Sequence, residues 1–93
     1  MSINLEFKRS TVALAGNPYG RKVFSEQVEP KLGKIDDVVT IVFPEQISFI
    51  TSSFVQGFFD FWLRSMSIDE IKKKVLIESS NDRVKEYIWS NLE

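Results

Sequence analysis

Residues 36–44 read DDVVTIVFP, a nearly unbroken apolar and β-branched run between two acids and a proline. Branching at Cβ stiffens the side chain and favours the extended backbone. A run of this kind, without alternation, is expected of an interior strand covered on both faces, as in a parallel sheet. Parallel strands cannot be joined by tight hairpins and need long crossovers, usually helices. The rest of the chain is therefore read for what can flank a central strand at Val38 to Phe43.

In INLEF, Ile3, Leu5 and Phe7 alternate with Asn4 and Glu6, the pattern of a half-buried strand. TVALA predicts a second strand, with Lys8, Arg9 and Ser10 as a tight turn between the two. In GNPYGRKVFSEQVEPKLGK, Asn17 is expected to cap a helix with Pro18 at its first position. Val23, Phe24 and Val28 would form its inner face. Pro30 should end or distort it, because an interior proline removes a hydrogen bond and crowds the preceding turn, and Gly33 supports the exit. Ile47 and Ile50 fall in a short connection, and a helix follows from Ser52 to about Met66. KVLIES predicts another buried strand. From Asn81 onward, Val84, Ile88 and Leu92 recur at i, i+4, i+8, as on an amphipathic helix.

The order β-β-α-β-α-β-α implies an α/β fold, as one domain over residues 1–93. Its sheet would be mixed but mostly parallel, four-stranded, with about three principal helices and right-handed crossovers. Burial should be deepest at Val39, Ile41, Phe58, Trp62, Leu76 and Ile88.

The helix from Ser52 carries more apolar surface than one sheet face requires. Phe54, Val55, Phe58, Phe59, Phe61, Trp62, Leu63 and Met66 spread over ~200° of its circumference, where ~100° or somewhat more suffices. Either neighbouring helices cover its flanks, or Phe61 or Leu63 helps form a partner or dimer surface. Asp60 and Arg64, at i and i+4 with the acid first, read as a surface brace. Gly57 in mid-helix disfavours the helix by ~1 kcal/mol against alanine and predicts close approach by another backbone.

Just before this helix stand Thr51, Ser52 and Ser53. A loop leaving a strand and entering a helix is the usual functional position in a parallel α/β sheet. One hydroxyl is accounted for as an N-cap; the other two are not. A helix N-terminus also stabilises an anion or an attached phosphate.

The segment VVTIVFPEQISFITSSFVQGFFDFWL resembles the STAS domain, whose bacterial members include the anti-sigma factor antagonists. The nearer likeness is to a STAS-like subgroup of unassigned function with a Ser-Ser-Phe triplet at this corner. The resemblance spans roughly residues 36 to 92. It implies a non-enzymatic regulatory module that docks another protein. Ser52 would be the phosphoacceptor, Ser53 the second hydroxyl, and Thr51 would stand where the family has an acid. Phe54 stands where the antagonists have glycine. The implied partner is a histidine-kinase-type ATPase, with homodimer formation as a further expectation. Phe54, Phe61, Leu63 and Arg21 are the candidates for the contact surface.

Other features are read more plainly. GNPYGR lacks the Gly-Lys-Ser/Thr ending of a phosphate-binding loop and is a capped turn. Glu78, Ser79, Ser80, Asn81 and Asp82 end a strand and are placed to border the same rim as Ser52, with Ser80 or Asn81 as a helix cap. Lys72, Lys73 and Lys74 read as a solvated strand flank. Asp36-Asp37 raises an oxygen-ligand metal site, but adjacent acids before a strand are usually solvated.

Composition narrows the chemistry. The net charge of −1 provides no basic field for nucleic acid. With no cysteine and no histidine, thiolate nucleophiles, disulfides and imidazole ligands are all absent. No nucleophile–base pair can be assembled except through lysine or a carboxylate, so an enzyme is not expected, nor any cofactor or metal. MSINLEFKRS has neither the basic start nor the apolar run of a signal peptide. The longest apolar stretch, Phe54 to Leu63, is too short to span a bilayer. A cytoplasmic protein without membrane contact is expected. The alternative function, from a different class, is a sensing domain for a small anion or nucleotide at the strand-end rim.

Overall fold

The computed structural model describes residues 1–33 and 38–92; the Asp36-Asp37 pair lies outside the described residues. In chain order the elements are β1 (Ser2–Asn4), β2 (Ala13–Leu14), α1 (Asn17–Val23), β3 (Val39–Val42), β4 (Phe49–Ile50), α2 (Ser52–Leu63), α3 (Ile68–Lys74), β5 (Val75–Glu78) and α4 (Asp82–Leu92). A π-helical turn (Phe24–Val28) and a 3-10 turn (Glu29–Lys31) continue α1. The protein is α/β, and no helix among the described residues is long and apolar enough to cross a membrane.

β3 is interior, as its composition predicts, lying between β1 and β5. It is not covered on both faces as expected: Val39 and Ile41 are buried while Thr40 and Val42 are only half-buried. The expected single, mixed, four-stranded sheet does not form. Among the described residues there are a three-stranded sheet, β1-β3-β5, and a two-stranded sheet, β2-β4, and every pairing is parallel. The residues after Pro44 account for the difference. They do not merely connect: Ser48 N donates to Val12 O (2.9 Å) and Thr51 N to Leu14 O (2.9 Å). The second strand is thereby drawn away to a partner of its own, and the observed order is β-β-α-β-β-α-α-β-α.

A further helix, α3, occupies the segment expected to lead directly into the last strand. Ser67 starts it with a reciprocal capping box: its hydroxyl accepts from Glu70 N (3.2 Å) and its own N–H donates to the Glu70 carboxylate (3.1 Å). The Ser67 amide, then its hydroxyl, with Lys73 and Lys74 nearby, hold the Glu70 carboxyl below its usual range. Lys72 to Lys74 are thus not a strand flank. They form the last turn of α3, where cations meet the negative helix end.

Among the described residues the three-stranded sheet is covered on one face only. Ile3, Ile41 and Ile77 stand in register, all buried; the adjacent rows Ser2-Thr40-Leu76 and Asn4-Val42-Glu78 face the other way. Leu76 is accordingly 47% exposed rather than buried. Val75 and Ile77 of the same strand are buried, so it is the open face and not the strand's place in the sheet that exposes Leu76. Val39, Ile41, Phe58, Trp62 and Ile88 are buried as expected.

Val23, Phe24 and Val28 face the core, and the helix loses its regular pattern just before Pro30. Asn17 does not act as the cap. Gly16 holds that position at φ 97°, a conformation glycine reaches without strain, and Asn17 Oδ1 instead accepts from Arg21 Nε (2.9 Å).

α2 is the hub of the core, with Phe54, Val55, Gly57, Phe58, Phe59 and Trp62 buried. Its wide apolar arc is explained by its neighbours. Phe24, in the turn after α1, stacks on Phe61 at 5.2 Å and meets Trp62 edge-on at 5.0 Å, while Phe59 faces Trp89 of α4 at 6.1 Å. The backbone approach predicted at Gly57 is made by α1. A Cβ on Gly57 would overlap the Asn17 carbonyl, and one on Gly20 would overlap Phe54 O and lie 2.8 Å from Phe58 N.

Two substitutions check this packing by denaturant unfolding. Phe58→Ala should destabilise by ~3–5 kcal/mol, the range for a truncated core phenylalanine; a loss under ~1 kcal/mol would place Phe58 outside the core. Gly57→Ala should destabilise by ~1–3 kcal/mol despite alanine's better helix propensity, because the atoms in the way are backbone. A stabilised Gly57→Ala variant would show that α1 and α2 do not touch there.

Candidate functional site

The Thr51-Ser52-Ser53 cluster sits where β4 turns into α2, and its three hydroxyls are used differently. Thr51 Oγ1 accepts from Phe54 N (3.2 Å), which makes Thr51 the N-cap of α2. The same oxygen accepts from Gly16 N at 3.3 Å, so it also closes the turn leading into α1. Its third contact is Ser53 Oγ at 3.1 Å. A hydroxyl has one proton and two acceptor positions. With two N–H groups already on the oxygen, the Thr51 proton goes to Ser53. Thr51 is thereby saturated.

Ser52 is exposed, and its hydroxyl has no partner among the described residues. The Ser52 and Ser53 main-chain N–H groups are likewise without an acceptor there, as expected of a first helical turn. Neither α1 nor α2 has an acidic residue in its first turn, whereas α3 has Asp69 and Glu70 and α4 has Asp82. Two positive helix ends thus converge on a neutral hydroxyl cluster.

The expected contact residues are distributed otherwise. Phe54 is 1% exposed, its ring 5.7 Å from Tyr19 and 5.9 Å from Phe58, so it is core and presents nothing to a partner. Phe61 and Leu63 are partly buried against the same core. Arg21 does not reach the hydroxyls. It lies beside Asp60 (Nη2 to Oδ1, 3.6 Å), and the Arg64 Nε–Asp60 Oδ2 pair at 2.8 Å confirms the i,i+4 brace. These three charges sit toward the other half of α2, over a small depression that Phe24 and Phe61 help to line.

Sequence reasoning missed the apolar surface beside the corner. Phe49 is 57% exposed, Val12 51% and Tyr87 38%. Phe49 N donates to Val12 O (3.3 Å), which puts those two residues together, and Phe49, Tyr87 and Arg83 line one shallow groove with Ser48 and Ile50. The available signal was Phe49 itself, a large apolar residue two positions before Thr51.

Ser79, Ser80 and Asp82 do not share the rim of Ser52. They line a separate open groove of about 440 Å³ at the ends of β3 and β5, together with Glu45, Glu78 and Lys85. Three carboxylates against one ammonium make that groove a poor receptor for an anion or nucleotide. Asn81 is the cap of α4, its Oδ1 accepting from Arg83 N at 3.0 Å, while its own N–H donates to Ser79 Oγ at 3.1 Å.

Thr51→Ala should destabilise the protein by ~1–2 kcal/mol, since one change removes both the helix cap and the acceptor for Gly16 N–H. Thr51→Ser should recover most of that loss, and Ser52→Ala should stay within ~0.5 kcal/mol of wild type. Equal losses for Thr51→Ala and Ser52→Ala in thermal unfolding would contradict this assignment.

Comparison with family models, curated proteins and solved structures finds no match to this chain.

Proposed function

We propose that this protein is a STAS-like, non-enzymatic regulatory module that docks another protein through the Ser52 corner, with Ser52 as the switching residue. The observation that carries the reading is the division of labour in the cluster. Thr51 takes the structural duty, leaving Ser52 exposed and unpartnered at the α2 N-terminus. The exposed Phe49, Val12 and Tyr87, around the strand that leads into the cluster, supply apolar contact area of the kind that marks protein interaction surfaces. A phosphate on Ser52 would bring about −1.5 to −2 charges to a helix end that carries no acid of its own. That would favour the modified helix while changing what the surface can bind. The partner expected from the resemblance is a histidine-kinase-type ATPase.

Calorimetric titration with the product of the adjacent gene is the direct test. Ser52→Ala should bind within about twofold of wild type, and Ser52→Asp should shift the Kd by about tenfold or more, equivalent to ~1.4 kcal/mol. Phe49→Ala should weaken binding without unfolding the chain. If Ser52→Asp and Ser52→Ala bind alike, the hydroxyls are caps and the corner is not a switch.

A further inference from the structure

One side-chain amide in this fold occupies a position that belongs to a β-strand. Gln27 lies in the π-helical turn after α1, and its carboxamide makes a two-point contact with the main chain of Glu6. Glu6 N donates to Gln27 Oε1 at 2.7 Å, and Gln27 Nε2 donates to Glu6 O at 2.8 Å. A primary amide presents the same donor and acceptor as a peptide group. Gln27 therefore completes Glu6 as a neighbouring strand would.

The phase of β1 shows which edge this is. Thr40 N donates to Met1 O (2.8 Å) and Leu5 N to Val42 O (2.9 Å), so the main-chain groups of residues 1, 3 and 5 point to β3. Those of Ser2, Asn4 and Glu6 point away, to the side where β1 has no strand among the described residues. Ser2 and Asn4 are exposed on that open edge, and only Glu6 is filled. Unpaired edge groups are a template for another strand unless something blocks them.

A second copy of this same edge fits it. Antiparallel pairing about a twofold axis at Asn4 sets Asn4 opposite Asn4 of the second copy and Ser2 opposite Glu6 at either side. All three pairs then lie in the hydrogen-bonding phase. Ile3 falls opposite Leu5, both buried on the helix-covered face, so the apolar layer continues across the seam. The open face brings together only Ser2, Asn4 and Glu6. Such pairing needs the Glu6 main chain that Gln27 holds. We propose that the β1 edge is a latent homotypic pairing surface and that Gln27 is the strand surrogate keeping it closed.

The absence of cysteine gives a direct test, because one introduced thiol reports without competitors. Opposed Cα atoms in a hydrogen-bonded antiparallel pair lie about 5.5 Å apart, inside the range that a disulfide spans. Asn4→Cys alone should remain monomeric under mild oxidation. Asn4→Cys combined with Gln27→Ala, or with the similarly sized Gln27→Met, should become predominantly a disulfide-linked dimer. Gln27→Met without the cysteine should show concentration-dependent dimer in analytical ultracentrifugation where wild type does not. Equal crosslinking with Gln27 intact overturns the proposal, as does no crosslinking by a double variant that circular dichroism shows to be folded. If both Gln27 variants unfold, Gln27 is a structural brace and the proposal fails.

Discussion

The contact between Gly20 and Gly57 sets the spacing on which the rest of this molecule depends. At both positions a Cβ would run into the backbone of the other helix, so α1 lies on α2 main chain to main chain. Ordinary side chains at a crossing hold helix axes ~8–10 Å apart; two glycines remove that spacer. Everything beyond the crossing is then within reach. Phe24 contacts Phe58, Phe61 and Trp62, and Arg21 lies beside Asp60. Gly16 N–H arrives at Thr51, and the turn following α1 delivers Gln27 to Glu6. A wider crossing would loosen the aromatic core, the hydroxyl corner and the sealed end of β1 together. The entropic disadvantage of a mid-helix glycine, ~1 kcal/mol, is small beside what those contacts contribute.

The same crossing explains why the strands divide into two sheets. α1 leaves β2, and α2 leaves β4. With the two helices held close, the strands feeding them are held close as well, and their short ladder (Ala13 with Phe49, Leu14 with Ile50) closes as a separate unit. The three-stranded sheet is left with edges at β1 and β5 and one uncovered face. The candidate groups follow that split. The hydroxyl corner belongs to the two-stranded sheet and its helices, while the acidic groove with Ser79 and Ser80 belongs to the ends of β3 and β5.

What the sequence could reveal depended on how far each signal reached. The interior position of β3, the start of α2, the amphipathic α4 and the close approach at Gly57 were all legible, because composition or periodicity over several residues carries each. The end of α2 was not, since the helix stops at Leu63 and not near Met66. The two-residue β4 was not, since its existence rests on pairing with β2 and not on any local pattern. α3 was missed although Ser67 and Glu70 spell a capping box; the three lysines had been read together with the strand they precede. Leu76 was misplaced because an apolar run looks the same whether one face of its sheet is covered or both. At the corner, sequence showed that one hydroxyl should cap and another remain open. That Thr51 is the cap, and that it also accepts from Gly16 N–H 35 residues away in the chain, was not legible. Gln27 gave no signal at all, because its partner is main chain.

The choice of threonine at position 51 can be argued one step further. An aspartate there would accept the same two N–H groups and cap α2 at least as well. It would also place a negative charge where two helix N-termini meet, neutralising much of their combined field. Having no proton, it would make no donor bond to Ser53. Threonine caps with a neutral atom, passes its proton to Ser53 and leaves the positive field standing. α3 and α4, which have no such corner, carry acids in their first turns. The field over Ser52 is thus the joint product of a neutral cap and of a glycine-spaced crossing that brings α1's N-terminus beside α2's. An anionic group arriving there would meet unpaired amides and no acid in the first turn of either helix, and that is the physical basis of the switch proposed at Ser52.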